Sequence, residues 1–444
     1  MSCVCCFFDN ENQKKIKESC FGEKFFEEKL QLYKSIYISE FKKMDVLSKC
    51  ACDFAMQNLK NNIYVKFCDD MLNDYKGKIE LIEEFFDVLI EIYNLCENNH
   101  REEAFIKLQK FFQKYCTNYS SINAIQMCDI LFRGREVGTY DLANIHEYYH
   151  IPFNIKEKIG NQRFSVKGKP MLYLAKSIPI ASQELKLDFE KINFALYFPK
   201  YSWVYERAMY DFSNTIDVTI NRSFPSLMND GSKIEYDNST FTFSKKNSNK
   251  ILGDNLLFQI LTFPVENKED VCKEYLLPQL CTEYFDRKGY LGIVYHSTKS
   301  TDIFQETVKY SQRDCNYCLF VPEETINNYN EDLLSCFHTV CIGECERGKK
   351  FPDVVQVLKD LKANLKEQNK VYNMSDYIHL MHQIESHIEY MEQTKVGQKD
   401  YYDSEQGYVE IDLIYKLLSN VRKIVNNPAD HGIVRNNTLS KITN

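Results

Sequence analysis

Apolar residues recur at three- and four-residue spacing from about Phe25 to Tyr119, as in IELIEEFFDVLIEIYNL from Ile79 and EEAFIKLQKFFQKY from Glu102. That spacing lines one face of a 3.6-residue helix and predicts a bundle of amphipathic α-helices. From Leu131 the pattern shortens to runs such as MLYLA, FALYF, DVTI, FTF, FQILTF and LGIVY, separated by turn residues. These predict the strands of a mixed α+β domain. Beyond Pro322 helical spacing returns in VVQVLKDLKANLKE, YIHLMHQIESHIEYMEQ and IDLIYKLLSNVRKIV, before a polar tail, NNPADHGIVRNNTLSKITN, that is expected to fray. The pattern divides the chain into a helical segment over 1–125, an α+β domain over 126–322 and a helical segment over 323–444.

Length agrees with that division, because 444 residues exceed what one ordinary core holds. The 44% hydrophobic and 27% charged fractions are those of a globular chain, and no Gly/Ser or Pro tract marks a linker. With a formal net charge of -8 and lysines spread throughout, the chain lacks the one-sided basic footprint of a nucleic-acid binder. Its longest apolar runs, such as LLFQILTFPV from Leu256, fall well short of the ~20 residues that span a bilayer, so no membrane role is expected. The 17 cysteines are an odd number, and MSCVCCFFDNENQKK reaches Asp9 before any useful apolar stretch, so no secretory signal is read and cytoplasmic thiols are expected.

Several motifs fail on chemical grounds. GECERGKK, from Gly343 to Lys350, approaches a phosphate-binding loop but lacks the hydroxyl after the lysine and places Glu344 and Glu346 where phosphate oxygens would sit. Cys3 with Cys6, Cys315 with Cys318, and Cys336, Cys341 and Cys345 have metal-like spacings, yet none has a well-spaced partner pair nearby in the sequence. Buried thiols and no metal are expected. Ser297 directly follows His296, and neighbours on a strand face opposite sides, so the two do not form a nucleophile and base pair. No Arg and His stand four to six residues apart in the N-terminal helices to suggest a nuclease; His100 and Arg101 are adjacent.

Four pieces of the middle domain stand out together: LFRGR from Leu131, NQRFSVKGKPMLYLA from Asn161, SQEL ending at Leu185, and YLGIVYHSTKS from Tyr290. In this order, with HIPF at His150 and EYLLPQLCTEYFDRKGYLGIVYHS, they resemble the RES domain family, named for its Arg, Glu and Ser. The N-terminal segment more weakly resembles the HEPN-like regions that precede some RES domains. The resemblance covers about Leu131 to Phe320 and implies a central domain with an ADP-ribosyltransferase-like fold, flanked by the helical segments. It also implies the activity of a toxin from a toxin-antitoxin pair, attacking NAD at the nicotinamide-ribose bond. NAD is then substrate, and no cofactor is implied.

Cleaving that bond leaves positive charge on the ribose, which a carboxylate stabilises. Glu184 is the candidate catalytic carboxylate. Arg133 and Arg163 are candidate catalytic and substrate-binding cations, since arginine's fork suits a diphosphate. Tyr173 would stack on nicotinamide or ribose and Ser297 would bond to the ribose or the amide. The acceptor is left open between water, phosphate and protein, with Arg135 and Lys299 as the nearest additional cations for a phosphate. Three readings follow: an NAD phosphorylase or glycohydrolase, an ADP-ribosyltransferase acting on a protein, and an inactive RES-like scaffold. The helical flanks are expected to meet an antitoxin, a regulatory protein or a second copy of the chain.

Overall fold

The computed structural model describes residues 2–116, 129–138, 141, 143–200, 208–213, 216–217, 220, 243, 245–265, 272–297, 315–323, 327–342, 348–396 and 398–436. Helices α1 (Val4–Phe8), α2 (Asn10–Glu18), α3 (Phe26–Lys42), α4 (Asp53–Asn58), α5 (Asn62–Lys76), α6 (Ile79–Glu97) and α7 (Arg101–Tyr115) come first. The expected strands β2 (Met171–Ala175), β3 (Ile192–Pro199) and β5 (Gly292–His296) follow, joined in one sheet by β1 (Leu131–Glu136), β4 (Met209–Asp211), β6 (Cys315–Phe320) and β7 (Phe337–Cys341). Helix α8 (Ile178–Leu185) follows β2, and α9 (Ser248–Leu261) and α10 (Leu276–Arg287) lie between β4 and β5. The short α11 (Glu331–Ser335) precedes β7, and α12 (Phe351–Gln368), α13 (Ser375–Gln393) and α14 (Glu405–Asn426) close the chain.

The seven strands stand in the order β4-β5-β6-β2-β1-β3-β7. Only β4 and β5 run parallel; the other neighbours are antiparallel. Every strand from β3 to β6 is buried along its whole length, so the sheet is covered on both faces.

Alternation assigns each residue to a face, because antiparallel partners point to the same side and successive residues to opposite sides. On one face, Met171, Tyr210, Ile293, Tyr295, Cys318 and Phe320 belong to the same apolar cluster as Leu30, Phe86, Leu108, Leu256 and Phe285 of the helices. The helices before β1, together with α9 and α10, thus cover the β4-β5-β6-β2 half. On the same face, Phe132, Ala175, Phe194, Leu196 and Val340 join Leu361, Ile384 and Leu417, so α12, α13 and α14 cover the β1-β3-β7 half. The opposite face, with Leu131, Leu172, Leu174, Ala195, Tyr197 and Val294, is closed by Tyr148, Tyr149, Phe153 and Leu333.

Three expectations change. FQILTF does not form a strand: it is the end of α9, in which Leu256 to Leu261 are all buried. A helix buried on every side carries no apolar stripe, so its pattern does not distinguish it from a core strand. Gly253 lets α9 cross the end of α7, since a Cβ there would meet the Tyr115 carbonyl oxygen at 2.2 Å. FHTVC, expected within a helical segment, is β7 and pairs with β3. Of DVTI, the described Asp217 and Ile220 are helical and not in a strand; Val218, Thr219, most of FTF and residues 437–444 of the tail lie outside the described residues.

Two buried polar clusters fix the helices. Lys17, from α2, donates to the Gln259 carbonyl, Gln259 Oε1 and Thr262 Oγ1 at 3.0–3.3 Å, closing the C-terminal end of α9. Burial, reinforced by the nearby Arg163, lowers the Lys17 ammonium to about 7. Between α13 and α14, the fully buried Glu410 carboxylate meets His387 and accepts from Tyr401 Oη at 2.6 Å.

His150 gives the fold a pH dependence. Its Nδ1 faces the Ile151 carbonyl at 2.8 Å and its Nε2 accepts from the Asn330 N–H at 3.0 Å, so both nitrogens are committed to the neutral ring. Burial lowers it from 6.5 to about 4. Between those values the unfolded chain holds a proton that the folded one does not, and stability falls as pH drops through that window. Thermal melts taken from about pH 6.5 to about pH 4 should show this loss, and His150→Gln should give a shallower slope; parallel slopes would remove His150 as a cause.

Candidate functional site

Glu184 sits in the last turn of α8. The helix starts at Ser177, whose side chain accepts from the Ile180 N–H, with Pro179 in its first turn, and it ends at Lys186 in the left-handed conformation with φ 56°. Its apolar side, Ile178, Ile180 and Ala181, packs into the cluster over β1 and β3. Gly134 of β1 makes this approach possible: a Cβ would lie 2.7 Å from Leu185 Cδ1 and 2.8 Å from Ile192 Cγ2. The missing side chain on β1 thus sets the height of α8, and with it Glu184, above the sheet.

From that height the carboxylate reaches past β2 to the two strands beyond it. Glu184 Oε1 accepts from Ser297 Oγ at 2.7 Å and from Asn316 Nδ2 at 2.9 Å. Ser297 directly follows β5, and both donors are buried while Glu184 is half-buried. Two neutral donors, one on β6 and one just past the end of the adjacent β5, hold one oxygen of the half-buried Glu184. The site lies where the N-terminal and C-terminal helical groups meet over the sheet.

Aromatic rings and the Arg163 guanidinium lie on the same side of the sheet. Tyr295 lies opposite Asn316 in the β5-β6 register and shares its face, with its ring centroid 4.5 Å from that of Phe164. Burial, together with the nearby Glu184 charge, raises the Tyr295 phenol well above its ordinary value; burial also raises Tyr275, where Arg163 acts in the opposite direction. The Arg163 guanidinium lies 5.2 Å from the Tyr275 ring centroid, and its Nη1 donates to the carbonyls of Leu261 and Phe263, both at 2.9 Å. Arg163 therefore shares with Lys17 the capping of α9's negative end. Its remaining N–H groups have no hydrogen-bond partner among the described residues. Gln279 Nε2, donating to the Gln162 and Ser165 carbonyls at 3.0 and 3.2 Å, ties the Arg163 segment to α10.

Tyr173 lies opposite Cys318, two residues from Asn316, and so shares this face; its Oη is 3.4 Å from Ser165 Oγ. The structure thus gathers Glu184, Ser297, Tyr173 and Arg163 on one side of the sheet. It does not gather Arg133. Phe132 is paired with Ala175 and shares the Tyr173 face, so Arg133 projects from the other one, opposite Ala195. There it lies near Tyr197 and His150, both of which feel its charge. Its Nη1 donates to the Tyr173 carbonyl at 2.8 Å, beyond the single paired position between β1 and β2. Arg135 is on the same side as Arg133 and donates to the carbonyls of Glu147 and Tyr149 at 2.6 and 3.1 Å, holding the segment that covers this face.

His296 bonds through Nε2 to the Ser213 carbonyl at 2.6 Å. Lys299 and residues 343–347 of GECERGKK lie outside the described residues. The next amides of that motif, Gly348 and Lys349, donate to the Asp412 carboxylate at 3.1 and 2.8 Å, as they would to an anion. Asn316 is the residue sequence reasoning missed. Its signal was a single amide inside the otherwise apolar run CNYCLF, which needs a partner once buried.

No protein-family model matches the chain, and no curated protein and no solved structure matches it. Among the described residues no helix is long and apolar enough to cross a membrane.

The Gly134 contact can be tested directly. Gly134→Val should lower unfolding free energy by about 1–3 kcal/mol through overpacking against α8. Gly160→Ala, where a Cβ meets nothing within 4 Å, should stay within ~0.5 kcal/mol of the parent. Equal urea midpoints for the two variants would contradict the close approach of α8.

Proposed function

We propose that the chain consumes NAD, cleaving the nicotinamide-ribose bond as a phosphorylase or glycohydrolase, on an ADP-ribosyltransferase-like core. The observation that carries this reading is the Glu184 carboxylate, held by Ser297 and Asn316 on a residue that is half-buried and not fully enclosed. It stands beside Tyr295, on the face that also bears Tyr173. The motif resemblance nominated Glu184, Ser297 and Tyr173 independently of this geometry. A fixed carboxylate is suited to an oxocarbenium-like ribose, because its orientation is set before the charge develops. Aromatic rings on the same side suit the planar nicotinamide.

Diphosphate binding falls in this reading to Arg163, the candidate arginine on the carboxylate's side of the sheet. Arg133 acts instead as a positioning residue that closes the gap between β1 and β2. Its placement is also the observation that favours the second reading, an inactive RES-like scaffold, since one of the two nominated cations is away from the carboxylate. In the active reading the protein is a toxin or defence effector whose turnover a partner protein restrains.

Purified protein incubated with NAD, with and without inorganic phosphate, should release nicotinamide; the phosphate arm distinguishes ADP-ribose from its phosphorylated form by mass. Glu184→Gln should reduce turnover by about 10²- to 10³-fold while keeping its melting temperature, because an amide oxygen accepts the same two hydrogen bonds. Near-parental turnover in the variant would remove Glu184 as the catalytic group, and no turnover in the parent under either condition would favour the scaffold or a protein acceptor.

A further inference from the structure

The first six residues carry three cysteines, and the fold divides them. Cys3 and Cys6, one helical turn apart, face the turn between α3 and α4, where Cys50 and Cys52 lie. Cys5 points elsewhere, to Tyr64 Oη at 3.0 Å and Cys68 Sγ at 3.9 Å. The expectation of buried thiols rested on Cys3 and Cys6 lacking a partner pair near them in sequence; folding supplies one from 44 residues away.

The four sulfurs lie within 4.8 Å of one another, with Cys3–Cys6 at 3.8 Å, Cys3–Cys52 at 3.7 Å and Cys6–Cys50 at 3.6 Å. Those distances exceed by far the ~2.05 Å of a disulfide. They agree with the edge of a tetrahedron around zinc, ~3.8 Å for a Zn–S bond of ~2.3 Å. Cys52 Sγ also accepts from the Ala55 N–H at 3.3 Å, a bond that favours thiolate over thiol. All four are buried or half-buried, and among the described residues no carboxylate or histidine joins them in the cluster.

We propose that Cys3, Cys6, Cys50 and Cys52 bind one zinc ion in a closed, structural Cys₄ site. Four thiolates match a soft tetrahedral cation and leave no position for water, so the ion takes no part in chemistry. Binding releases the four thiol protons as the four Zn–S bonds form. The ion ties α1 to the turn before α4. Both are too short to hold their places by helix formation alone. From α1, Phe7 and Phe8 pack edge-on against Tyr37, Phe41 and Tyr75 within the cluster that covers the sheet.

The test is metal analysis of the full chain purified under reducing conditions without chelator. About one zinc per chain is expected, lost on Cys50→Ser/Cys52→Ser and retained in Cys68→Ser. If the double variant does not fold, the parent chain is stripped with chelator and refilled with cobalt. It should then show thiolate-to-cobalt charge transfer and the ligand-field bands of a tetrahedral CoS₄ centre, and should melt higher than the stripped chain. A parent chain that is folded and metal-free, with these four thiols titratable or joined as disulfides, would overturn the proposal. So would loss of the metal from Cys68→Ser to the same degree, while iron in place of zinc would overturn the assignment of the ion.

Discussion

A seven-stranded sheet spans ~29 Å between its outer strands, and a helix covers only ~10 Å of that width. One helical layer drawn from a single stretch of chain does not seal such a face. Here the N-terminal helices, with α9 and α10, cover one half, and α12 to α14 cover the other. The helical segments are therefore part of the sheet's burial, and a meeting line between them is unavoidable. Glu184 lies on that line because α8 crosses it, packing its apolar side into one group and presenting its last turn to strands covered by the other.

The two-residue alternation of strands is what separates the nominated residues. LFRGR places Arg133 and Arg135 on the side away from Tyr173, where Arg133 bonds to a β2 carbonyl that strand pairing leaves over and Arg135 to carbonyls of the segment that covers this face. Arginine suits that task because its fork donates in several directions from one rigid plane. Arg163 is not on a strand and escapes the alternation. The loop that carries it, held by Gln279, brings its guanidinium to the ring of Tyr275.

How much of this was legible in the sequence depended on whether the signal was local. The helices α6, α7, α12, α13 and α14 were readable because each buries one stripe, and β2, β3 and β5 because their runs are short, apolar and bounded by turns. Helix α9 was misread as a strand because it is buried all round. The Ser297 and Glu184 contact joins positions 113 residues apart and was reached only through motif resemblance. Asn316 and the Cys50–Cys52 pair were missed because neither forms a local pattern with what it meets; the fold alone brings them together.

In the proposed reading NAD binds on the Glu184 side of the sheet, with Arg163 as its cation. Isothermal titration of NAD into Glu184→Gln protein, which should bind the intact dinucleotide without consuming it, tests this most directly. Saturable binding at one site per chain is expected, weakened by about tenfold or more when Arg163→Lys is added, as the loss of a charge-assisted hydrogen bond would give, and little changed by Arg135→Lys. Absence of binding, or affinity that depends on Arg135 and is indifferent to Arg163, would contradict it.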